Sequence, residues 1–198
     1  MRFVLASNNP KKLREMREIL SELGVEVISQ SEAGINIEVE ETGDTFEENA
    51  MLKAEAVMEA SGLPAIADDS GLMVDALGGA PGIHSARYGG EDCKNDAERI
   101  EFLLRNMGDT ENRRASFVSS IACAFPDGRR LTARGKCEGL ILKQPRGSGG
   151  FGYDPVFYLP EFKMTMAEMT AEEKNKISHR SNALRDFKIK LEKIYSKE

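Results

Sequence analysis

Two adjacent carboxylates, Asp68 and Asp69, follow the short apolar run Pro64–Ala67. Like charges on neighbouring residues repel each other, so their coexistence needs a physical reason. Mg²⁺ is one such reason, because it binds one or two carboxylates together with substrate phosphates. Adjacent side chains of an extended backbone point to opposite faces, so we expect one Asp to face a site. The other Asp would then orient the loop, and a capped turn is the competing interpretation.

An acidic stretch, Glu38–Gly43, lies upstream of these carboxylates and offers a second metal-facing carboxylate or a solvated loop. Lys53 is the only base among residues 26–60. Asn49 and Lys53 are four residues apart, which places them on one face of a helix. A phosphate contact and an ion pair with a nearby Glu are both consistent with the position of Lys53.

The segment Ser7-Asn8-Asn9-Pro10-Lys11-Lys12 connects the first predicted strand to the first predicted helix. Such a junction presents backbone N–H groups and the positive end of the helix dipole, both of which favour a phosphate. Lys12 would add a positive charge. An ordinary helix N-cap with solvated lysines is the competing interpretation.

A glycine-rich segment, Gly147–Pro155, carries Phe151, Tyr153 and Asp154. Glycines allow the backbone to approach a flat or charged ligand closely. We expect Phe151 and Tyr153 to offer stacking faces and Asp154 to offer an acceptor. The alternative is a flexible hairpin connection.

A basic segment, Lys174–Ser181, supplies the last candidates. Lys174 can reach a phosphate, and His179 and Arg180 can donate hydrogen bonds to an oxygen-bearing base edge. A solvated basic helix face is the competing interpretation. His84 has no evident metal partner in the sequence, and we assign it no role.

Apolar periodicity predicts the elements that must position these residues. Helices and strands alternate in the first half and strands cluster afterwards, which indicates an α/β fold with a mixed sheet. Pro10 and the capping boxes at Thr45 and Thr170 mark helix starts, and Leu13, Met16, Ile19, Leu20 and Leu23 recur at helical spacing in the first helix. Predicted strands are Arg2–Ala6, Val25–Ser29, Pro64–Ala67, 115–125, Arg130–Lys136 and Gly139–Lys143, and Leu77–Gly90 is predicted to be a long loop.

Length and charge limit the function classes. The 198 residues correspond to a single domain, 1–198, in which the second half can form a smaller lobe. A net charge of −6 argues against a nucleic-acid binder, which needs a basic surface. We expect no membrane span, because the apolar runs are far shorter than about 18 residues. Arg2–Ala6 is too short for a signal-peptide core, so a cytoplasmic protein is the expectation.

In combination, the motifs are far more specific than any one of them. The chain resembles the non-standard purine nucleoside triphosphate pyrophosphatases, the inosine triphosphatase (XTP/dITP diphosphatase) family. The resemblance runs through Ser7-x-Asn9-x-x-Lys12, Glu40-Glu41-Thr42-Gly43, Thr45-Phe46-x-x-Asn49-Ala50-x-x-Lys53-Ala54, Ala67–Leu72, Gly78–Gly82, Ser85–Tyr88, Gly149–Pro155 and Ser178-His179-Arg180. Many relatives read Thr-Gly-Asn in the first loop, where this chain has Ser7-Asn8-Asn9.

The resemblance implies hydrolysis of ITP, dITP and XTP to the monophosphate and pyrophosphate, with Mg²⁺ as cofactor. It implies an elongated mixed sheet flanked by helices, two lobes around a central nucleotide-binding cleft, and a homodimer. By position, Asp69 corresponds to the catalytic general base, and Glu40 and Asp69 to metal contacts, with Glu41 as the alternative to Glu40. The implied substrate contacts, to which the helix spacing adds Lys53, are Ser7, Asn8, Asn9, Pro10, Lys11, Lys12, Ser70, Phe151, Gly152, Tyr153, Asp154, Lys174, His179 and Arg180.

Two competing functions stay open at this point. One is the related septum-inhibitor-like group of pyrophosphatases, which favours modified pyrimidine or methylated nucleotides. The other is a nucleotide-binding sensor without turnover. The presence of Asp68, Asp69, Lys12 and Lys53 argues against the sensor. The Gly149–Asp154 segment followed by Ser178-His179-Arg180 argues against the septum-inhibitor-like group.

Overall fold

The computed structural model describes residues 2–21 and 24–195 and has a mixed α/β fold. Seven strands form one sheet in the order β2-β1-β3-β4-β5-β6-β7. The strands are β1 Arg2–Leu5, β2 Glu26–Ser29, β3 Ala65–Val74, β4 Arg114–Ala124, β5 Arg130–Ile141, β6 Phe157–Leu159 and β7 Met164–Thr165. The helices are α1 Pro10–Ser21, α2 Phe46–Ser61, α3 Asp96–Met107, α4 Ala171–Ile177 and α5 His179–Tyr195. The predicted helical position Leu23 lies outside the described residues.

Local capping signals place α1 and α2 where the sequence predicts them. Helix α1 begins at Pro10, and the Asn9 Oδ1 atom accepts a hydrogen bond from the Lys12 N–H at 3.4 Å. Helix α2 begins with a capping box, in which the Thr45 side chain accepts from the Glu48 N–H. It ends at Gly62, whose φ of 67° is a conformation that favours glycine.

The structure corrects three predicted segments. The strand predicted to end at Ala67 continues through Asp68 and Asp69 to Val74, because the side chains of both Asp residues find cationic partners inside the fold. The two strands predicted within 130–143 are one strand, β5. The predicted loop Leu77–Gly90 instead contains 3₁₀ turns at Asp75–Leu77, Gly82–Arg87 and Gly90–Asp92.

The chain divides into two compact units. Among the described residues, unit 1 runs up to Asp69 and also includes Ser119–Gly135 and everything from Arg180 onward. Unit 2 comprises Ser70–Val118 and Lys136–His179. The single domain 1–198 and the nucleotide cleft stay predictions.

Unit 1 is built from helices on both faces of parallel strands. Strand β1 pairs in parallel with β2 and with β3. Its alternate side chains enter two separate cores, because neighbouring residues of a strand face opposite sides. One core joins Phe3 and Leu5 to Met16 and Leu20 of α1 and to Phe187 and Leu191 of α5; the other joins Val4 to Ala50, Ala54 and Val57 of α2.

Unit 2 has one core, which packs α3 against strand residues. Ile100 and Leu103 of α3 belong to the same buried cluster as Leu72, Phe117 and Phe157. Strand β6 pairs antiparallel with both β5 and β7, so the sheet is mixed as predicted. In the part of the chain that the structure describes, no helix is both long enough and apolar enough to cross a membrane.

Candidate active site

Asp68 is held inside unit 1 by a set of donors. Its side chain is 0% exposed. The Arg180 Nε–H donates to Asp68 Oδ2 at 3.0 Å, and the Lys12 Nζ atom lies 2.8 Å from the same oxygen. The Ser119 hydroxyl donates to Oδ1 at 2.6 Å. Asp68 is therefore the carboxylate that organises the site, in agreement with the expected alternation of the two Asp side chains.

The charges around Asp68 fix its ionisation. Burial by itself raises a carboxyl pKa, but Arg180 and Lys12 outweigh it and hold the pKa of Asp68 far below its usual range. Arg180 is only 4% exposed and also donates from Nη1 to Glu15 at 2.9 Å. Burial works to lower the pKa of Arg180, yet Asp68 and Glu15 raise it above the usual range. Arg180 thus donates to two carboxylates through Nε and Nη1, and its contact with a base edge stays a prediction.

Asp69 points to the other face and meets Lys53. The Lys53 Nζ atom donates to Asp69 Oδ1 at 2.9 Å and to Glu41 Oε1 at 2.7 Å. Asp69 Oδ2 is buried and has no hydrogen-bond partner among the described residues. An acceptor oxygen in this state is suited to receive a proton or to bind a cation.

Opposing effects act on this pair. Burial raises the pKa of Asp69, and the Glu41 and Asp68 carboxylates add to the rise against the opposing effect of Lys53. Burial works to lower the pKa of Lys53, but Asp69 and Glu41 outweigh it and raise that pKa. Lys53 is therefore charged at neutral pH, and Asp69 is more basic than an ordinary Asp.

Both lysines also converge on one backbone atom. The carbonyl oxygen of Asp68 accepts from Lys12 Nζ at 3.2 Å and from Lys53 Nζ at 3.3 Å. Both ammonium groups are also paired with carboxylates, Lys12 with Asp68 and Lys53 with Asp69 and Glu41, so cations and anions alternate in this cluster. The acidic stretch supplies Glu41 to this cluster, whereas the predicted metal contact Glu40 is exposed.

The first loop forms as predicted at the start of α1. The Ser7 hydroxyl accepts from the Asn9 N–H at 3.2 Å, and Asn8 and Pro10 are exposed. Lys12 lies within the cluster around Asp68, while the side chain of Lys11 lies outside the described part of the structure. The loop therefore leads from β1 to the Lys12 ammonium.

The glycine-rich segment of unit 2 is organised around Asp154. Asp154 Oδ2 accepts from the Phe151 N–H at 2.9 Å and from Lys174 Nζ at 2.5 Å. A Cβ atom at Gly150, where φ is 74°, would lie 2.1 Å from this oxygen. Only glycine fits there. The group that approaches this glycine closely in the structure is the Asp154 carboxylate, and a close approach by a ligand stays a prediction. Lys174 Nζ lies 4.6 Å from the centre of the Phe151 ring, and Phe151 is 39% exposed.

Tyr153 is not the stacking face that the sequence suggests. It is buried in the unit 2 core, and its hydroxyl donates to the Ser85 carbonyl at 2.9 Å. Burial raises the pKa of Tyr153 above its ordinary range, so the phenol keeps its proton. Beside it, the Gly152 N–H donates to Asp96 Oδ2 at 2.7 Å. These contacts fix the loop that presents Phe151.

The remaining predicted residues of unit 2 are His179 and Ser70. The imidazole of His179 stacks on the Phe117 ring with a centroid distance of 4.9 Å and an interplanar angle of 18°. Ser70 follows Asp69 along β3 and is half-buried. The boundary between the units falls between Asp69 and Ser70 and again between His179 and Arg180. All four residues are predicted site residues.

Sequence reasoning missed four residues that hold the candidates: Glu15, Ser119, Phe117 and Asp96. Glu15 had a usable signal, because it lies three residues after Lys12 on one face of α1. The others approach from distant segments and carry no local signal. Across residues 2–21 and 24–195, no group of three or more His, Cys, Asp or Glu side chains is arranged to hold a metal ion.

The chain matches known proteins along nearly its whole length. A family model described as the Ham1 family matches residues 3–190. The dITP/XTP pyrophosphatase of Clostridium perfringens is 48% identical and aligns over 98% of each chain. That of Geobacillus kaustophilus is 51% identical over 96% of this chain and 94% of the relative.

Solved structures agree with this match. The Staphylococcus aureus Ham1 protein superposes with a TM-score of 0.90 at 46% identity, covering 97% of this chain and 98% of the other. The HAM1 protein of Coxiella burnetii gives a TM-score of 0.89 at 44% identity, with both chains fully covered. On the agreement of family model, relatives and fold, this chain belongs to the Ham1 family.

Proposed function

We propose that this protein hydrolyses the non-standard purine nucleoside triphosphates dITP, XTP and ITP to the nucleoside monophosphate and pyrophosphate. The observation that carries the proposal is the cluster at the Asp68–Asp69 peptide. There, two ammonium groups meet one carbonyl oxygen beside a buried carboxylate with a partnerless oxygen. Relatives with about half of their residues identical are dITP/XTP pyrophosphatases.

The reaction assigned to this cluster is attack of water on the α-phosphorus. The new bond joins the water oxygen to the α-phosphorus, and the bond from this phosphorus to the bridging oxygen breaks, so that pyrophosphate leaves. Asp69 accepts the proton that the water loses, a role favoured by its raised pKa. Lys12 and Lys53 neutralise the negative charge of the phosphates, which is the main requirement of phosphoryl transfer.

The carboxylates of Glu41 and Asp69 fit a divalent metal. Both offer oxygen ligands, both lie close to one another through Lys53, and the oxygen open to a cation is Asp69 Oδ2, which has no partner among the described residues. We therefore propose Mg²⁺ as cofactor, held by Glu41 and Asp69 in place of the predicted Glu40. When bound, it would neutralise charge on the triphosphate.

Residues of unit 2 are assigned to the purine base. Phe151 offers a partly exposed ring, and stacking on it tolerates any base at a gain of about 1–3 kcal/mol. Selectivity then needs donors toward the 6-oxo group of hypoxanthine or xanthine, where adenine presents an amino group. His179 and backbone N–H groups are the assigned donors, because a buried donor left unpaired against adenine costs free energy.

Product analysis tests the proposal. Purified protein with Mg²⁺ would be incubated separately with dITP, XTP, ITP, ATP and GTP in ¹⁸O-labelled water. We expect pyrophosphate release from the first three, with the label in the nucleoside monophosphate. Asp69→Asn serves as the matched inactive control. Orthophosphate as the product, or label in pyrophosphate, would exclude attack at the α-phosphorus.

The resemblance also leads us to propose a cytoplasmic homodimer. Light scattering of the purified protein tests the assembly, since a monomer of 21.9 kDa and its dimer differ twofold in mass. Cell fractionation tests the location.

A further inference from the structure

The acidic stretch reaches the candidate site without regular secondary structure. Residues 35–43 belong to no helix or strand. Glu41 is nevertheless held beside Asp69 through its contact with Lys53 at 2.7 Å. A chain segment without a hydrogen-bonded ladder needs other contacts to fix its path, because each residue loses conformational entropy on ordering.

Asn49 supplies such contacts one helical turn before Lys53. Its side chain is fully buried. Asn49 Oδ1 accepts from the Gly43 N–H at 2.8 Å, and Asn49 Nδ2 donates to the Gly43 carbonyl at 3.3 Å. The side chain therefore pairs with both polar groups of one residue, only two positions after Glu41.

The fit at Gly43 is close on the other side as well. A Cβ atom there would lie 2.7 Å from the Cβ atom of Glu48 and 2.9 Å from Asn49 Oδ1. A side chain at position 43 would therefore push the segment away from α2. We name this contact between Asn49 and Gly43 the amide clamp.

We propose that Asn49 is a positioning residue, which sets the place of the Glu41 carboxylate through the amide clamp. This inference rests on the proposed function, because it concerns the carboxylate pair assigned to the metal. An amide accepts from N–H through its oxygen and donates to C=O through its nitrogen, so it can pair with both groups of one residue at once. A carboxylate at position 49 would repel the Gly43 carbonyl. An apolar side chain there would leave the N–H and C=O groups of Gly43 without these partners.

The position of Asn49 on α2 places the clamp next to the contact that holds Glu41. Residues four apart lie on the same helix face, so Asn49 and Lys53 hold the acidic stretch at two points. Gly43 is held by neutral hydrogen bonds and Glu41 by an ion pair. Loss of the first contact removes the fixed point two residues from Glu41, while the Lys53 ion pair is retained.

The test perturbs the clamp from both sides. Asn49→Ala removes the amide, and Gly43→Ala inserts the Cβ that the contact excludes. Thr45→Ala is the matched control, because it removes the cap of the same helix without touching either partner. Titration of each variant with Mn²⁺, followed by electron paramagnetic resonance, gives the metal affinity without turnover. The Mg²⁺ concentration for half-maximal activity is the second measurement.

We expect both clamp variants to weaken Mn²⁺ binding and to raise the half-activating Mg²⁺ concentration by about tenfold, as for the loss of one or two hydrogen bonds. The double variant should be no worse than the single variants, since both break one contact. Thr45→Ala should match the wild type in both measurements.

Equal metal affinity in Asn49→Ala, Gly43→Ala and the wild type would overturn the inference. An equal loss in Thr45→Ala would also overturn it, because the effect would then be general destabilisation of α2. These outcomes leave the proposed function intact if the wild type still releases pyrophosphate. A wild type without metal-dependent pyrophosphate release would instead remove the proposed function, and this inference with it.

Discussion

Replacement of Arg180 by Met tests whether this residue holds Asp68 or contacts a base. Arg180→Met preserves much of the apolar length and removes the charge. Asp68 would then stay fully buried, with Lys12 and Ser119 as its remaining partners. Removal of one partner of a buried ion pair costs about 3–5 kcal/mol. Glu15 is partly exposed and can bind water, so it adds little to this cost.

The expected loss of unfolding free energy is about 4 kcal/mol. For a chain of this length, each 1 kcal/mol lowers Tm by about 2–4 °C, so Tm should fall by about 8–16 °C. Circular dichroism during heating and urea denaturation both measure this change. The double variant Arg180→Met/Asp68→Asn should recover part of the loss, because it no longer buries an unpaired carboxylate.

The pH dependence gives a second measurement with a defined sign. The folded pKa of Asp68 lies far below its ordinary value near 4, so its contribution to stability is present above that value. This contribution is lost progressively as the pH falls from about 4 toward the much lower pKa of the folded state. Without Arg180 the contribution is smaller, so the deficit of the variant should be largest near pH 7 and shrink toward pH 3.

A contrary result would be equally clear. A Tm within 2 °C of the wild type, together with a changed preference for ITP over ATP, would refute the role assigned to Arg180. The residue would then act on the base, as the sequence predicted, and its contact with Asp68 would add little.

Three further substitutions test other parts of the site. Asp69→Asn should lower kcat for pyrophosphate release by about 10²–10⁴-fold with a smaller change in KM; near-normal turnover would exclude Asp69 as the base. Gly150→Ala should raise KM for ITP, because the new Cβ displaces the Asp154 carboxylate that accepts from Lys174. An unchanged KM would show that this ion pair does not shape the binding loop. Tyr153→Phe should lower the free energy of unfolding by about 1 kcal/mol in urea denaturation, through loss of one buried hydrogen bond. Stability equal to the wild type would contradict that contact.

Much of the fold follows from local signals, as the helix starts show. Pro10 and the Thr45 capping box act within a few residues, and the structure places both helices at these signals. The course of β3 could not be predicted in this way. A run of Asp68-Asp69-Ser70 indicates a turn by local propensity, and its partner Arg180 lies 112 residues away along the chain.

The same distinction between local signals and distant partners applies to the candidate site. The motifs identify Asp69, Lys53 and Lys12 as residues that carry chemistry, and the structure places all three in one cluster. The sequence cannot distinguish residues that contact a ligand from those that hold a neighbour. Tyr153 has the aromatic ring expected of a stacking residue, yet it belongs to the core. Its ring is buried in unit 2, and its hydroxyl donates to a backbone carbonyl there.

Because Asp68 and Asp69 point to opposite faces of β3, the number of strand residues that precede them cannot change by one without exchanging their positions. The two residues are chemically identical, and only the alternation along β3 assigns one to Arg180 and the other to Lys53. A deletion of one residue between Ala65 and Ala67 would exchange their faces while leaving the composition of the site unchanged. Insertions and deletions in this strand should therefore be far more damaging than at the Asp127-Gly128 turn, where no such parity has to be kept.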